Sequence, residues 1–347
     1  MVGFSPEPIN LRAARPEEYR ALNECLDRLR AEAMPEDPPI PHEERLTRWQ
    51  SQPSFVVTRD WIVWNPERSR IIAHAGCGFE DAPENRHLVG FGISVLPELR
   101  RQGLGTRLLT EVAKMAAQAE RTLLLTDTNA RVPAGQAFVE RLGAERGLEA
   151  HTNQLLLSDL DPALLRRWLD EAPVEEFELG LWEGPFPEAE LGAIAQMIEV
   201  AANTEPRENL QVEDFRITPE KLRAWEKPML AANTERWVIY ARERRSGRLA
   251  GYSEVFWNPS RPEILRQGGT GVLPEFRGRR LGGWLKAAML DKVQRERPEV
   301  KRVRTGNANS NVPMLRINTQ LGFRPYISEV QWQVPLEKVQ KYLACKA

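Results

Sequence analysis

The chain contains one domain pattern written twice. Residues 92–109 read GISVLPELRRQGLGTRLL and residues 269–286 read GTGVLPEFRGRRLGGWLK; aligned without gaps at an offset of 177, nine of the eighteen positions are identical. A second match lies downstream at nearly the same offset, where Arg141-Leu142-Gly143 answers Gln320-Leu321-Gly322. Solenoids repeat every ~20–50 residues. An offset near half of the 347 residues instead implies two copies of a domain of ordinary size. Whatever fold the chain adopts must therefore be one that half of it can build.

Composition narrows the options. The 48 Lys+Arg and 49 Asp+Glu give a net charge of −1, whereas a dedicated nucleic-acid binder carries a basic excess, so no nucleic-acid partner is expected. Apolar residues make up 41% of the chain, enough for two cores. No apolar run approaches the ~18 residues of a membrane span, and residues 1–19 lack the apolar core of a leader, so a cytoplasmic protein without a membrane partner is expected. Cys25, Cys77 and Cys345 are too few and too scattered for a disulfide framework or a metal site. Composition leaves the oligomeric state open.

Both halves read in the same order. In the first, a strand at 9–13 precedes a helix at 16–33 whose Leu22, Leu26 and Leu29 share one face, and further strands are expected at 55–58, 61–63, 71–79 and 88–96. A Pro-rich break occupies 34–44. A helix at 103–119, a strand at 123–126, a helix at 134–142 and a closing strand at 152–157 complete the half. The second half is expected to follow with a strand at 177–182, a helix at 188–202 and a further helix opened by Thr218-Pro219-Glu220. Strands at 237–242, 249–256 and 269–273 come next. A helix at 281–295, a strand at 302–305, a helix at 312–321 and a strand at 327–334 end it. Mostly antiparallel strands with one strand–helix–strand crossover make each half α+β, a mixed sheet flanked by helices. The expected boundaries are a first domain at 1–160, a linker helix at 161–173 and a second domain at 174–347.

Chemistry concentrates at the strand-to-helix junction Arg100-Arg101-Gln102-Gly103-Leu104-Gly105-Thr106. A helix N-terminus presents unpaired N–H groups and partial positive charge, which stabilise an anion. Glycines let the backbone approach phosphate oxygens closely, and arginines add charge suited to a pyrophosphate. A dinucleotide-binding fold would place such a loop after an early strand of a doubly wound sheet; here four or five antiparallel strands precede it.

This combination resembles the GNAT superfamily of acyl-coenzyme A-dependent N-acyltransferases, whose loop pattern is Arg/Gln-x-x-Gly-x-Gly/Ala. Arg100, Gly103 and Gly105 occupy the defining positions in the first half, and Arg277, Arg280 and Gly282 in the second, where Arg280 replaces the first glycine. The variant RGRRLG is similar to the pattern common in the C-terminal domains of tandem GNAT proteins. The resemblance implies that the amides of residues 100–106 and of Arg277, Gly278, Arg279, Arg280, Leu281, Gly282 and Gly283 hold the pyrophosphate of acetyl-CoA. It also implies that Val95, Val272 and Leu273 pair with the pantetheine arm. A further family pattern, Asn-x-x-Ala-x-x-x-Tyr-x-x-Leu-Gly, is matched at Asn311, which would meet the cofactor, while Asn318 stands where the Tyr that protonates the departing thiolate is usual. In the first half Val132 and Val139 fall at these two places.

Acyl transfer to an amine needs a base, directly or through a water. All four histidines lie in the first half, so a base in the second half must be a carboxylate or a water chain. Glu254, in Ala-Gly-Tyr-Ser-Glu-Val-Phe, is a carboxylate inside an otherwise apolar strand; it is read either as a base whose pKa is raised by its surroundings or as a solvent-facing residue. Tyr252 shares its strand face and is read as a substrate-binding residue, as an acid, or as core. Glu205, Glu208 and Glu213 form an acidic stretch where the resemblance puts the acceptor site, and would attract a small-molecule amine. The expected activity is acetyl transfer from acetyl-CoA to a primary amine, with chemistry in the second half and the first half cofactor-binding or structural. That asymmetry resembles mycothiol-synthase-like tandem GNAT proteins. The rival is a non-catalytic acyl-CoA-binding or interaction protein.

Overall fold

The computed structural model describes residues 4–346. They separate into two compact units that are not contiguous in sequence. The N-terminal unit comprises the chain up to Glu149 together with Arg207–Glu213 and everything from Ser328 on; the C-terminal unit comprises Ala150–Pro206 and Asp214–Ile327. The expected contiguous boundaries at 160 and 174 therefore give way to an exchange of closing segments.

In chain order the first half supplies β1 (Glu7–Ile9), α1 (Pro16–Ala33), α2 (His42–Gln50), β2 (Val56–Trp64), β3 (Ile71–Glu80), β4 (Leu88–Val95), α3 (Leu104–Gln118), β5 (Leu123–Asn129), α4 (Pro133–Arg141) and β6 (Glu145–Leu156). There follow α5 (Pro162–Asp170), β7 (Phe177–Glu183), α6 (Leu191–Asn203), α7 (Pro219–Ala231), β8 (Glu235–Glu243), β9 (Leu249–Trp257), β10 (Ile264–Val272), α8 (Leu281–Glu296), β11 (Arg302–Ala308), α9 (Val312–Gln320), β12 (Arg324–Pro335) and α10 (Leu336–Ala344). Within the N-terminal unit β1 to β4 pair antiparallel, β5 lies parallel to β4, and the next strand is Glu329–Pro335 of β12, antiparallel to β5. Within the C-terminal unit β7 to β10 pair antiparallel, β11 lies parallel to β10, and the neighbour of β11 is Ala150–Leu156 of β6. Apolar alternation identifies a closing strand but not its partner. Because the chain is a duplication, each closing strand meets an equivalent slot in either unit, the condition under which identical elements are exchanged at low cost.

Two further differences from the sequence reading have local causes. The expected strands at 55–58 and 61–63 form the single strand β2, because Asp60 in its middle is accommodated over Gly76 and accepts from His74 Nε2 at 3.0 Å. The Pro-rich break ends earlier than expected, since Pro41 starts α2, whose first turn carries Glu43 and Glu44.

Each unit has its own core. Leu22, Val63, Ile72, Leu108, Leu109 and Val112 are sealed in the N-terminal unit, joined by Val334 and Val339 from the end of the chain. Phe177, Ile194, Ala241, Leu265, Leu285, Met289 and Val303 do the same in the C-terminal unit. One position breaks the pattern: Lys286, the counterpart of Leu109, is buried among apolar groups of α8. No helix among the described residues is long and apolar enough to cross a membrane.

Candidate functional site

In both units the loop after the fourth strand of the sheet has the same backbone. Arg101 and Gly103 adopt left-handed φ values of 65° and 84°, and Gly278 and Arg280 adopt 79° and 61°. The glycine thus occupies the second left-handed position in one loop and the first in the other, which explains how Arg280 stands where the pattern has Gly. Both loops end in a helix whose N-cap has no capping side chain. The first amides of α3 and α8 therefore point out of the helix with neither an intrahelical nor a side-chain partner, the condition that favours an anion.

The leading arginine of each loop braces it. Arg100 Nε donates to Val95 O at 3.0 Å while its guanidinium pairs with Glu32 at 2.7 and 2.5 Å. Arg277 Nε donates likewise to Val272 O at 3.1 Å, but its other end meets the neutral hydroxyl of Thr204 at 2.8 Å. The leading arginine thus meets a carboxylate in one loop and a hydroxyl in the other, while Arg279 and Arg280 of the second loop pair with Glu176 and Glu171.

A cavity opens beside each loop. In the N-terminal unit it measures about 480 Å³ and is lined by Val95, Arg100, Arg101, Gly103, Leu104, Gly105 and Thr106, with Asp127 from β5. In the C-terminal unit it measures about 890 Å³ and is lined by Val272, Arg277, Gly278, Arg280, Leu281, Gly282, Gly283, Asn311 and Glu205. Both volumes suit a ligand of cofactor size. Asn311 caps α9, accepting from Met314 N–H at 3.4 Å.

The structure also moves several expected site residues away. Gln102 is exposed and does not line the cavity. Leu273 is buried in the core and its N–H donates to Ala250 O, so neither the side chain nor that amide is offered to a ligand. Arg279 turns to Glu176 at 2.9 Å. Glu208 and Glu213 belong to the N-terminal unit, where they accept from the backbone N–H groups of Glu149 and Asn85; the segment 207–213 has left the unit whose acceptor site it was expected to line. Asn318 is buried, donates to Asn307 at 2.7 Å and does not line the cavity.

Tyr252 and Glu254 lie side by side on β9, against a bulge in β10 between Gln267 and Thr270. A Cβ on Gly268 would lie 2.7 Å from Glu254 Oε1, and one on Gly269 2.6 Å from the Tyr252 hydroxyl, so only glycines let both side chains lie flat there. Glu254 accepts from Gly269 N–H at 3.1 Å. Burial raises its pKa although the residue retains some exposed surface, with Arg236 and Arg266 opposing. Burial also drives the Tyr252 phenol far above its usual range, assisted by Glu254 and Glu205. Neither Tyr252 nor Glu254 reaches the cavity wall, but Glu205 does, and burial raises its pKa too. Glu205 is exposed by surface area, yet the surroundings of the carboxyl group itself set its proton affinity. The N-terminal unit differs: β3 and β4 pair without a bulge, the strand register puts Gly76 at the place of Glu254 and His74 at that of Tyr252, and His74 pairs with Asp60. Its cavity holds two carboxylates the sequence reading missed: Glu32, paired with Arg100, and Asp127, raised in pKa by burial. Asp127 was hidden because a polar residue at the end of an apolar strand gives no periodic signal.

Residues 22–144 match the acetyltransferase (GNAT) family. The solved structure of a tandem GNAT protein from the clavulanic acid biosynthesis pathway, free of acetyl-CoA, superposes with a TM-score of 0.76 at 25% identity, covering 96% of this chain and 98% of that one. Residues 22–144 carry a GNAT-family domain, and the chain as a whole has the fold of a tandem GNAT protein. A GCN5-related N-acetyltransferase from Sphaerobacter thermophilus has the same fold at a TM-score of 0.67 and 18% identity, over 95% of this chain and 96% of its own. The glucosamine N-acetyltransferase region of a fungal multi-domain beta-N-acetylglucosaminidase shares it at 0.65 and 12%, over 96% of this chain and 38% of that one. No curated protein sequence matches the chain. The family match and the fold support acyl-CoA-dependent acetyl transfer in general terms.

Proposed function

We propose that the protein moves an acetyl group from acetyl-CoA to a primary amine of a small molecule, and that the C-terminal unit does so. The observation that carries the assignment is the group Glu205, Tyr252 and Glu254 at the β10 bulge, beside a loop whose helix amides are uncapped. The loop fits the donor: exposed amides face a cavity of sufficient size, and Arg277 meets a hydroxyl there. In this reading the first amides of α8 hold the pyrophosphate, and acetyl-CoA supplies the thioester carbonyl that the amine attacks.

The chain's own residues do the rest. Glu254 takes a proton from the substrate ammonium, directly or through one water, because a raised pKa brings a carboxyl toward the range a base needs at neutral pH. Glu205, on the cavity wall, draws the cationic amine inward. The amine nitrogen bonds the carbonyl carbon as the carbon–sulfur bond breaks, and the sulfur leaves with a proton. Tyr252, held protonated by burial, is the donor available at the bulge. Asn318 has no part in this step, since it is buried away from the cavity and its amide nitrogen donates to Asn307. The N-terminal unit binds cofactor or braces the fold, with Arg100 of its loop paired to Glu32. Buried Cys25 and Cys77, both reduced, suit a cytoplasmic enzyme.

Thiol release from acetyl-CoA across a panel of small amines tests this. The double variant Glu254→Gln, Asn311→Ala should lose at least ~10²-fold in rate, the scale of general base help. Full activity in that variant refutes the assignment, and binding of acetyl-CoA without turnover by any amine favours a non-catalytic module.

A further inference from the structure

The two helices that follow the closing strands carry a repeat of their own. α5 and α10 each have nine residues, and each has an aromatic ring in seventh place, in Leu165-x-x-Trp168-Leu169 and Val339-x-x-Tyr342-Leu343. The first apolar residue of each motif is buried, and the residue after the ring packs on the same core. Three anchors at that spacing fix which way the ring points.

Within its unit each helix packs against the helix that starts at the loop: α5 against α8, and α10 against α3. A Cβ placed on Gly283 would meet Cε3, Cζ3 and Cδ2 of Trp168 at 3.3, 3.5 and 3.6 Å, so the indole rests on the third residue of α8. Both rings remain half-buried, and both line the cavity of their unit. Arg280 pairs with Glu171, the residue that ends α5, at 2.8 Å, and Lys346 Nζ lies 5.9 Å from the Tyr342 ring. A ring needed only to seal a helix seam would be wholly covered, as Leu108 and Leu285 are. These two are left open toward the place where a nucleotide joined to a loop-bound pyrophosphate must continue.

We propose that Trp168 and Tyr342 are stacking platforms for the adenine ring of the acyl-CoA donor, one in each unit. The proposal rests on the acyl-CoA reading above and adds the residues that recognise the nucleotide end. Stacking of a base on an aromatic side chain is sequence-tolerant and strong enough to matter for affinity.

The test is calorimetric titration of the full chain with CoA and, separately, with pantetheine, which lacks the nucleotide. Trp168→Ala and Tyr342→Ala should each weaken one class of CoA site by about tenfold or more, and the double variant both, with pantetheine binding unchanged. Trp168→Tyr, which copies the residue of the other unit, should retain CoA binding within about threefold, as an aromatic face is kept. Trp168→Leu keeps an apolar contact on Gly283 without a π face and replaces the alanine variant if that one fails to fold. Unchanged CoA binding in the double variant overturns the proposal, as does an equal loss for CoA and pantetheine. If the wild-type chain binds pantetheine but not CoA, the platforms fail alone; if it binds neither, the acyl-CoA reading fails and takes them with it.

Discussion

Replacing Lys286 by leucine, the residue at the equivalent place in the other half, should stabilise the C-terminal unit. Lys286 is almost wholly buried on α8, its ammonium 5.2 Å from the Phe323 ring, and no carboxylate among the described residues compensates for the burial. Its pKa is pulled from 10.5 to about 7. Each tenfold loss of proton affinity is worth about 1.4 kcal/mol, so the cost to the folded state approaches ~5 kcal/mol. Loss of the ring contact and imperfect repacking reduce the expected gain for Lys286→Leu to ~2–4 kcal/mol. The dependence on pH is distinctive. Below about pH 7 the lysine is protonated in both folded and unfolded chains and the penalty is complete. Between about 7 and 10.5 the unfolded chain holds the extra proton, so wild-type stability rises with pH relative to the variant, by up to ~1.4 kcal/mol per pH unit. Urea titrations followed by circular dichroism at pH 6, 8 and 10 should show the variant ahead at pH 6 and the gap nearly closed at pH 10. A variant less stable than wild type at pH 6, or a gap independent of pH, refutes the reasoning.

Other perturbations have equally definite outcomes. Gly103→Ala puts a Cβ on a residue at φ 84° and should cost ~1–2 kcal/mol, while Arg280→Gly, at φ 61°, should cost nothing or stabilise slightly; thermal melting of both variants checks the pair. Because the Glu254 pKa is raised by burial, the folded state binds its proton more tightly and stability falls as pH rises through that pKa; Glu254→Gln should be the more stable protein at neutral pH, and a less stable variant contradicts this. The same carboxyl should give kcat/KM an acidic limb above the ordinary carboxylate range, absent in the residual rate of Glu254→Gln. Cutting the chain between 160 and 174 separates β5 from its partner Glu329–Pro335 and β11 from Ala150–Leu156. The two fragments should be poorly folded apart and recover the native circular dichroism when mixed, and independently folded fragments contradict the exchange.

The repeat made the architecture legible, down to most elements. Residues 101–103 and 278–280 show why the loops could be recognised although their glycines sit at different places: the backbone needs two left-handed residues, and either can be the glycine. The exchange of β6 and β12 was not legible, because strand patterning specifies a face and not a neighbour. Nor was the departure of Glu208 and Glu213 from the acceptor side, since loop charges carry no signal of what they touch. Glu254 was legible as a polar residue in an apolar strand, but its position over Gly268 and Gly269 at the β10 bulge was not. Trp168 and Tyr342 escaped because their repeat is short and has another offset from that of the loops.

The central claim, that acetyl-CoA is held at the 277–283 loop for chemistry at the neighbouring bulge, is tested most directly by a crystal structure of the protein soaked with acetyl-CoA. The account predicts the pyrophosphate on the first amides of α8 and the thioester directed toward Gly268–Thr270, within reach of Glu254. Acetyl-CoA bound in the N-terminal cavity alone, or with its thioester turned away from the β10 bulge, contradicts it.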